Sequence, residues 1–404
     1  MIPSTGLAQV LVLRDAADIE RAMTRGRVSS EGMRYMANKA LFRVVKVRGL
    51  DVRAANILKQ EMLSRGGEVA TSREVYELGG ENADCIIMGT LTQFARLLPK
   101  LREQPFGLRG VAVSVEAALA NYDTPVPLGP AGLLLAAPPV LMGILNVTPD
   151  SFSDGNSHAD VDSAVAAAVK MVEEGAALVD VGGESSRPGA KPISLDEELR
   201  RVLPVVTALA PKLPGMVSVD TYKAEVAKQS LEAGALMIND ISALRMDPQM
   251  VDVVRDANCP VVLMHMQGDP QNMQDAPVYE DVVGEIYDFF VERLNWAVDS
   301  GLDERNLLID PGMGFGKTHE HNLEILRNLS AFRSLGRPIV LGASRKRFLG
   351  EIAGIDDPVG RDWATAATSV LAAREGAHIL RVHQVGINAE AARVARAIFP
   401  RPAQ

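Results

Sequence analysis

The sequence predicts a (β/α)8 TIM barrel over residues 138–404, preceded by a smaller N-terminal α/β (or α+β) domain over residues 1–117 and a linker over residues 118–137. Three observations predict it. From residue 138 onward, short apolar runs alternate with stretches of helical apolar spacing, and the cycle repeats eight times. The repeats occupy about 265 residues, the usual size of such a barrel. An open, doubly wound sheet would carry a Gly-rich turn after its first strand, and no such turn follows Val140–Leu145.

Composition sets limits on function. The chain has 404 residues, 47% hydrophobic and 23% charged, which is ordinary for a globular protein of two domains. A net charge of -9 argues against general nucleic-acid binding, although a local basic cluster can still hold a small anion. Cys85 and Cys259 form no metal-ligand spacing and read as reduced thiols of a cytoplasmic protein. No leader peptide is evident, and no run of about 18 apolar residues predicts a membrane span.

In the N-terminal region, Ala8–Arg14 reads as a strand and 16–26 as a short helix ending at Gly26. Leu41–Val47 alternates as a strand. Residues 51–66 form an amphipathic helix with Asp51 as its cap and Gly66-Gly67 as its stop. Residues 67–78 and 84–89 are further strand candidates, and 91–103 is helical. Pro125, Pro127, Pro130 and Pro138-Pro139 punctuate the linker. No constellation of reactive side chains appears in this region, and its function is not legible.

The barrel strands are expected at 140–145, 177–181, 216–219, 236–238, 261–264, 307–309, 339–341 and 378–382. Helical spacing follows each, at 161–174, 196–209, 223–232, 248–257, 279–300, 321–335, 361–375 and 388–398. In such barrels chemistry sits at the C-terminal ends of the strands. Those ends carry Asn146, the segment Gly182–Pro188, Asp220, Asn239-Asp240, His265, Asp310, Ser344-Arg345-Lys346, and Arg381 with His383. One such residue is a turn or a cap; eight in register around one mouth point to a site.

The residue types fall into two groups. Asp220, Asn239 and Asp310 leave apolar strands, so their burial requires pairing. Side by side they would offer acceptors to a planar heterocycle rich in N–H donors; singly, each can equally bond backbone or a lysine. Arg187, Arg345, Lys346, Arg381 and His383 are the basic group, and their concentration on an acidic chain suggests an anion such as a phosphate ester. Asn146 and Asp154 on the first loop can offer oxygen to Mg²⁺, with Asn146 as a plain turn residue the competing reading. Gly312–Thr318 lacks P-loop spacing, and His319-Glu-His321 lacks the zinc spacing His-Glu-x-x-His. Thr318 is instead a helix cap, and His378 is structural.

Together these segments carry a resemblance. Asn146-Val-Thr-Pro-Asp-Ser-Phe-Ser-Asp154, Gly182-Gly-Glu-Ser-Ser-Arg-Pro-Gly189, Ser218-Val-Asp-Thr221, Ile238-Asn-Asp240, Asp310-Pro-Gly-Met-Gly-Phe-Gly-Lys-Thr318, Ser344-Arg-Lys346 and Arg381-Val-His383 closely resemble the motifs of dihydropteroate synthases, in the same order. The N-terminal region lies outside the resemblance. It implies a pterin-binding barrel that condenses 6-hydroxymethyl-7,8-dihydropterin diphosphate with p-aminobenzoate, giving 7,8-dihydropteroate and diphosphate. It assigns the pterin to Asp220, Asn239, Asp310, Lys346 and Arg381. It assigns the diphosphate to Asn146, Ser186, Arg187, Arg381 and His383, with Asn146 also on Mg²⁺. It assigns p-aminobenzoate to Phe152, Pro188, Phe315 and Lys346, and catalysis to Asp154, Lys346 and Arg381. The first loop is expected to close over the ligands, carrying Phe152 and Asp154 with it.

The resemblance further implies small-molecule substrates, sulfonamide inhibition and a homodimer, with no nucleic-acid or membrane partner. Four positions depart from the family pattern: Ser186 stands for a usual Thr, Arg347 for a small hydroxyl residue, Gln384 for Asp and Asn156 for Gly. The alternatives are a methyltetrahydrofolate:corrinoid methyltransferase-like barrel, which needs no diphosphate site, and a non-catalytic pterin-binding protein. Ser344-Arg-Lys346 and Arg381-Val-His383 speak against the first, and the intact Asn146, Asp220, Lys346 and Arg381 against the second.

Overall fold

The computed structural model describes residues 8–77, 79–124, 138–148, 158–185, 187 and 189–399. The chain divides into two compact units, Met1–Asp123 and Thr124–Gln404.

The first unit is α+β. Strands β1 (Phe42–Asp51), β2 (Glu68–Thr71) and β3 (Asn82–Thr90) form an antiparallel sheet in the order β1-β3-β2. Alternation along β3 buries Ala83, Cys85 and Ile87 on one face. That face packs on helix α3 (Val52–Leu63) through Ala54, Ala55, Leu58 and Met62, and on α5 (Leu91–Leu101) through Phe94, Leu97 and Leu101. Asp51 caps α3 by accepting a hydrogen bond from the Arg53 amide. Helices α1 (Ala16–Arg25), α2 (Ser30–Ala40), α4 (Arg73–Glu77) and α6 (Leu108–Asp123) complete the unit.

Three expectations change here. Ala8–Arg14 belongs to no regular element and exposes Val10, Leu11 and Val12, and among the described residues no strand pairs with it. Of 67–78, only 68–71 is a strand; α4 follows, and Leu78 lies outside the described residues. Helix α6 runs to Asp123, so the segment expected as linker from residue 118 begins as helix. Its buried residues, Leu108, Ala112 and Val115, lie in its first half, which leaves the second half without an apolar stripe to read.

The second unit is a closed parallel barrel. Its strands are β4 (Val140–Asn146), β5 (Ala176–Gly182), β6 (Val217–Asp220), β7 (Met237–Asp240), β8 (Val261–Met264), β9 (Leu307–Asp310), β10 (Val340–Leu341) and β11 (Ile379–Val382). They pair in the order β10-β11-β4-β5-β6-β7-β8-β9, and a parallel bridge between Ile309 and Ile339 joins the two ends. Met142, Leu178, Met237, Val262, Leu308, Val340 and Ile379 form one buried cluster with contributions from seven of the strands. The alternate strand residues, such as Leu141, Val179, Val219 and Val261, join a larger cluster with the helices. Burial on both faces explains why the strands read as continuous apolar runs.

The surrounding helices are α7 (His158–Glu173), α8 (Leu195–Leu209), α9 (Ala224–Glu232), α10 (Met250–Ala257), α11 (Val282–Asp299), α12 (His319–Arg327), α13 (Arg347–Ala353), α14 (Asp362–Glu375) and α15 (Val385–Ile398). The helix expected over 321–335 is α12 followed by a 3-10 turn at Leu329–Leu335, broken at Asn328. Thr318 caps α12, accepting from the His321 amide while the His321 ring accepts from the Thr318 amide. Among the described residues no helix is long and apolar enough to cross a membrane.

Candidate active site

The C-terminal ends of the strands converge on one polar mouth. Asp220 closes β6, Asn239 lies next to last in β7, and Asp310 closes β9. Asp310 accepts a 2.7 Å hydrogen bond from the Gly312 amide. Burial pushes the Asp310 carboxyl up, against that bond and the nearby Lys346 charge. Asp240, beside Asn239, does different work. It accepts from the amides of Ser242 (2.7 Å) and Leu244 (2.9 Å), and so holds the loop after β7 in shape.

Beneath these acceptors lies Asp180, inside β5 and 0% exposed. It accepts hydrogen bonds from Ser218 Oγ at 2.6 Å, Asn239 Nδ2 at 2.9 Å and Arg381 Nε at 2.6 Å. Arg381 donates its second bond, at 2.6 Å, to Asp220 Oδ2. Against the cost of burial, the two carboxylates hold the Arg381 guanidinium charged. Burial raises the Asp220 carboxyl, Arg381 pulls it back and Asp180 adds to the rise. Sequence reasoning missed Asp180. Its signal was a single carboxylate within the apolar run 177–181, a position that burial forbids without partners.

The basic group separates in the structure. Lys346 precedes α13, with Nζ 4.1 Å from the Phe315 ring centroid. Burial, reinforced by Arg381, pulls its ammonium down to about 8. His383 Nδ1 lies 2.9 Å from Ser344 Oγ, which also accepts from the His383 amide at 3.1 Å. Ser344 Oγ thus holds both the backbone and the ring of His383 in place. Burial and the charges of Arg345, Arg381 and Lys346 push His383 down to about 3, so it is neutral and not the cation its place in the basic group suggested. Arg345 also leaves that group. Its guanidinium is bidentate on Asp362 at 2.7 and 2.8 Å. Arg187 is exposed on the loop after β5, close enough to act electrostatically on Lys346 and His383. Arg347 is 89% exposed in its side chain and pairs with Glu351 at 2.8 Å.

Asn146 closes β4 on the near side of Asp220. A Cβ built on Gly182 would lie 3.9 Å from Asn146 Oδ1 and 3.7 Å from Asp220 Oδ2, so both oxygens flank the same point. Phe152, Asp154, Ser186 and Pro188 lie outside the described residues.

Two further clusters support the mouth. Lys317, 3% exposed, donates to His265 Nδ1 at 2.9 Å and to the Phe315 carbonyl at 2.9 Å. Burial lowers Lys317 to about 7 and keeps His265 neutral, down at about 2. The glycines around Lys317 serve close approach and not a phosphate. Gly312 has φ +68°, and a Cβ there would meet the His265 carbonyl oxygen at 1.9 Å. After β5, Glu184 accepts from Tyr222 at 2.9 Å and from Lys223 at 2.6 Å. Lys223 also bonds the buried Glu198, which ties the loop carrying Arg187 to α8 and α9.

Comparison with known proteins agrees with this geometry. The family described as pterin binding enzyme matches residues 142–383. A probable bifunctional folylpolyglutamate synthase/dihydropteroate synthase of Haloferax volcanii is 40% identical over 397 residues. That match takes in 95% of this chain, and so much of its N-terminal unit, but the chain spans only 46% of the relative's length. The dihydropteroate synthase of Escherichia coli K12 is 46% identical over 259 residues, 64% of this chain and 91% of that protein. A solved structure of Xanthomonas albilineans dihydropteroate synthase with 4-aminobenzoic acid is 48% identical, covers 65% of this chain and 94% of that one, and superposes with a TM-score of 0.61. On the matched barrel, its motifs and these relatives, the chain belongs to the pterin-binding enzyme family and, within it, to the dihydropteroate synthases.

Proposed function

We propose that the protein condenses 6-hydroxymethyl-7,8-dihydropterin diphosphate with p-aminobenzoate to give 7,8-dihydropteroate and diphosphate. One observation carries the reading: three acceptors, Asp220, Asn239 and Asp310, share a mouth with Lys346 and Arg381. A pterin ring presents N–H donors along one edge, and this acceptor row complements them. Lys346 beside Phe315 gives the ring's second edge and the p-aminobenzoate a cation and an aromatic wall. Arg381, His383, Arg187 and Ser186 hold the diphosphate.

In the reaction, the bond from the pterin's exocyclic CH2 carbon to the diphosphate oxygen breaks, and the electron pair leaves with the diphosphate. The aniline nitrogen forms the new C–N bond to that carbon and releases one proton to solvent. Arg381 and Arg187 stabilise the leaving anion, and the role assigned to Asp154 is to offset the developing positive charge on the carbon. Phe152 and Pro188 complete the p-aminobenzoate pocket. The departing diphosphate is a natural partner for Mg²⁺, which neutralises phosphate charge when bound. The donor chemistry fits: Asn146 offers a hard oxygen at the mouth next to Asp220, and it is the residue that would hold the ion.

The site map is tested with Lys346→Ala. Diphosphate release should fall about 100-fold or more in kcat/KM, with KM raised for both substrates, as for loss of a cation that hydrogen-bonds to both. Near-normal turnover by this variant would refute the map.

A further inference from the structure

We propose that Asp180 is the positioning residue that sets which atoms of Asn239 and Arg381 face the substrate; this rests on the function proposed above. Asp180 is closed off from the mouth, so it touches no ligand itself. It accepts from three donors on three other strands: Ser218 in β6, Asn239 in β7 and Arg381 in β11.

Two consequences follow from donor and acceptor chemistry. A carboxylate that already accepts from Ser218 and Arg381 can only accept from Asn239 as well, so the Asn239 amide nitrogen must point at Asp180. The Asn239 oxygen is then turned the other way. Asn239 therefore presents an acceptor alongside Asp220 and Asp310, and a ring edge made of N–H groups meets a row of one sign. Without Asp180 the Asn239 amide is free to turn over and oppose a donor with a donor. The second consequence concerns Arg381. Its Nε is held by Asp180 and one terminal nitrogen by Asp220, so the guanidinium plane is fixed at two points. A fixed plane can stack on a ring and keep its remaining N–H groups for an anion. One buried carboxylate thus couples ring recognition to the leaving-group cation, from a position that contacts neither.

The test is Asp180→Leu, which is close in volume and removes both acceptor oxygens, since in Asp180→Asn one oxygen can still accept from both Asn239 and Arg381. Steady-state diphosphate release and binding of 6-hydroxymethylpterin, a ring without diphosphate, are measured beside wild type, with the thermal midpoint as a check of folding. The account expects kcat/KM for the pterin diphosphate and affinity for the bare ring each to fall about 10- to 100-fold, the worth of hydrogen bonds to a charged group. The KM for p-aminobenzoate should stay within about twofold, since that change is small beside a hydrogen bond's worth. A lowered thermal midpoint with unchanged kinetic constants would make Asp180 merely structural and overturn the inference. If Asp180→Leu does not fold, the crystal structure of wild type with 6-hydroxymethylpterin decides. Asn239 bonded at once to Asp180 and the ring supports the inference; Asn239 turned away from Asp180 overturns it. Absence of turnover by wild type would instead refute the proposed activity, so the two failures are distinguishable.

Discussion

Lys317 is buried in the barrel and Lys346 is partly buried at its mouth, and desolvation pulls both below the ordinary lysine range, Lys346 to about 8 and Lys317 to about 7. For Lys346 this has a kinetic consequence. Its ammonium is lost as pH rises through about 8, so kcat/KM should decline above that pH. Stability should move the other way. Between the folded values and the ordinary lysine value of 10.5, the unfolded chain binds more protons, so raising the pH favours the folded state in that window. A pH–rate profile with urea midpoints at pH 7 and 9 checks both signs; activity flat to pH 10 would contradict the first. At this scale the sequence was partly legible. Asp220, Asn239, Asp310, Lys346 and Arg381 stood out because each interrupts or ends an apolar run. Asp180 and Lys317 did not, one hidden by its apolar neighbours and the other inside a glycine-rich segment that invited comparison with phosphate loops. Arg345 and His383 were visible, but their partners Asp362 and Ser344 are distant in sequence or chemically plain, so the loss of Arg345 to an ion pair and the neutrality of His383 required coordinates.

Strands and helices of the barrel were legible for a physical reason. Parallel strands buried on both faces are apolar throughout, and the residue where polarity returns marks the mouth. Elements without that contrast escaped notice. Helix α2 buries none of its residues, and α13 has only seven residues. The Ala8–Arg14 segment carries an apolar run like a strand, but among the described residues no strand pairs with it. The glycines of the loop after β9 make an element-level prediction. Gly312→Ala forces a Cβ against the His265 carbonyl and strains a left-handed backbone. The expected cost is about 2 kcal/mol or more, read as a lowered urea midpoint, with the Lys317–His265 contact and Asp310 displaced in consequence. An unchanged midpoint would show that the loop yields without cost.

At the scale of the molecule, the described residues of the first unit form one hydrophobic cluster under the three-stranded sheet, and those of the second form a larger one between strands and helices with two smaller clusters besides. The eight-fold alternation made the barrel readable, and closure followed from the count of strands. The first unit revealed its architecture only in part. Its strands pair antiparallel, which local alternation of strand and helix does not determine. The central claim concerns the barrel mouth of the full chain, and product identity tests it most directly. The full chain is incubated with 6-hydroxymethyl-7,8-dihydropterin diphosphate, p-aminobenzoate and Mg²⁺, and the products are resolved by mass spectrometry. The account predicts 7,8-dihydropteroate and diphosphate in equal amounts, dependent on both substrates. Intact substrates after prolonged incubation with folded protein would contradict it.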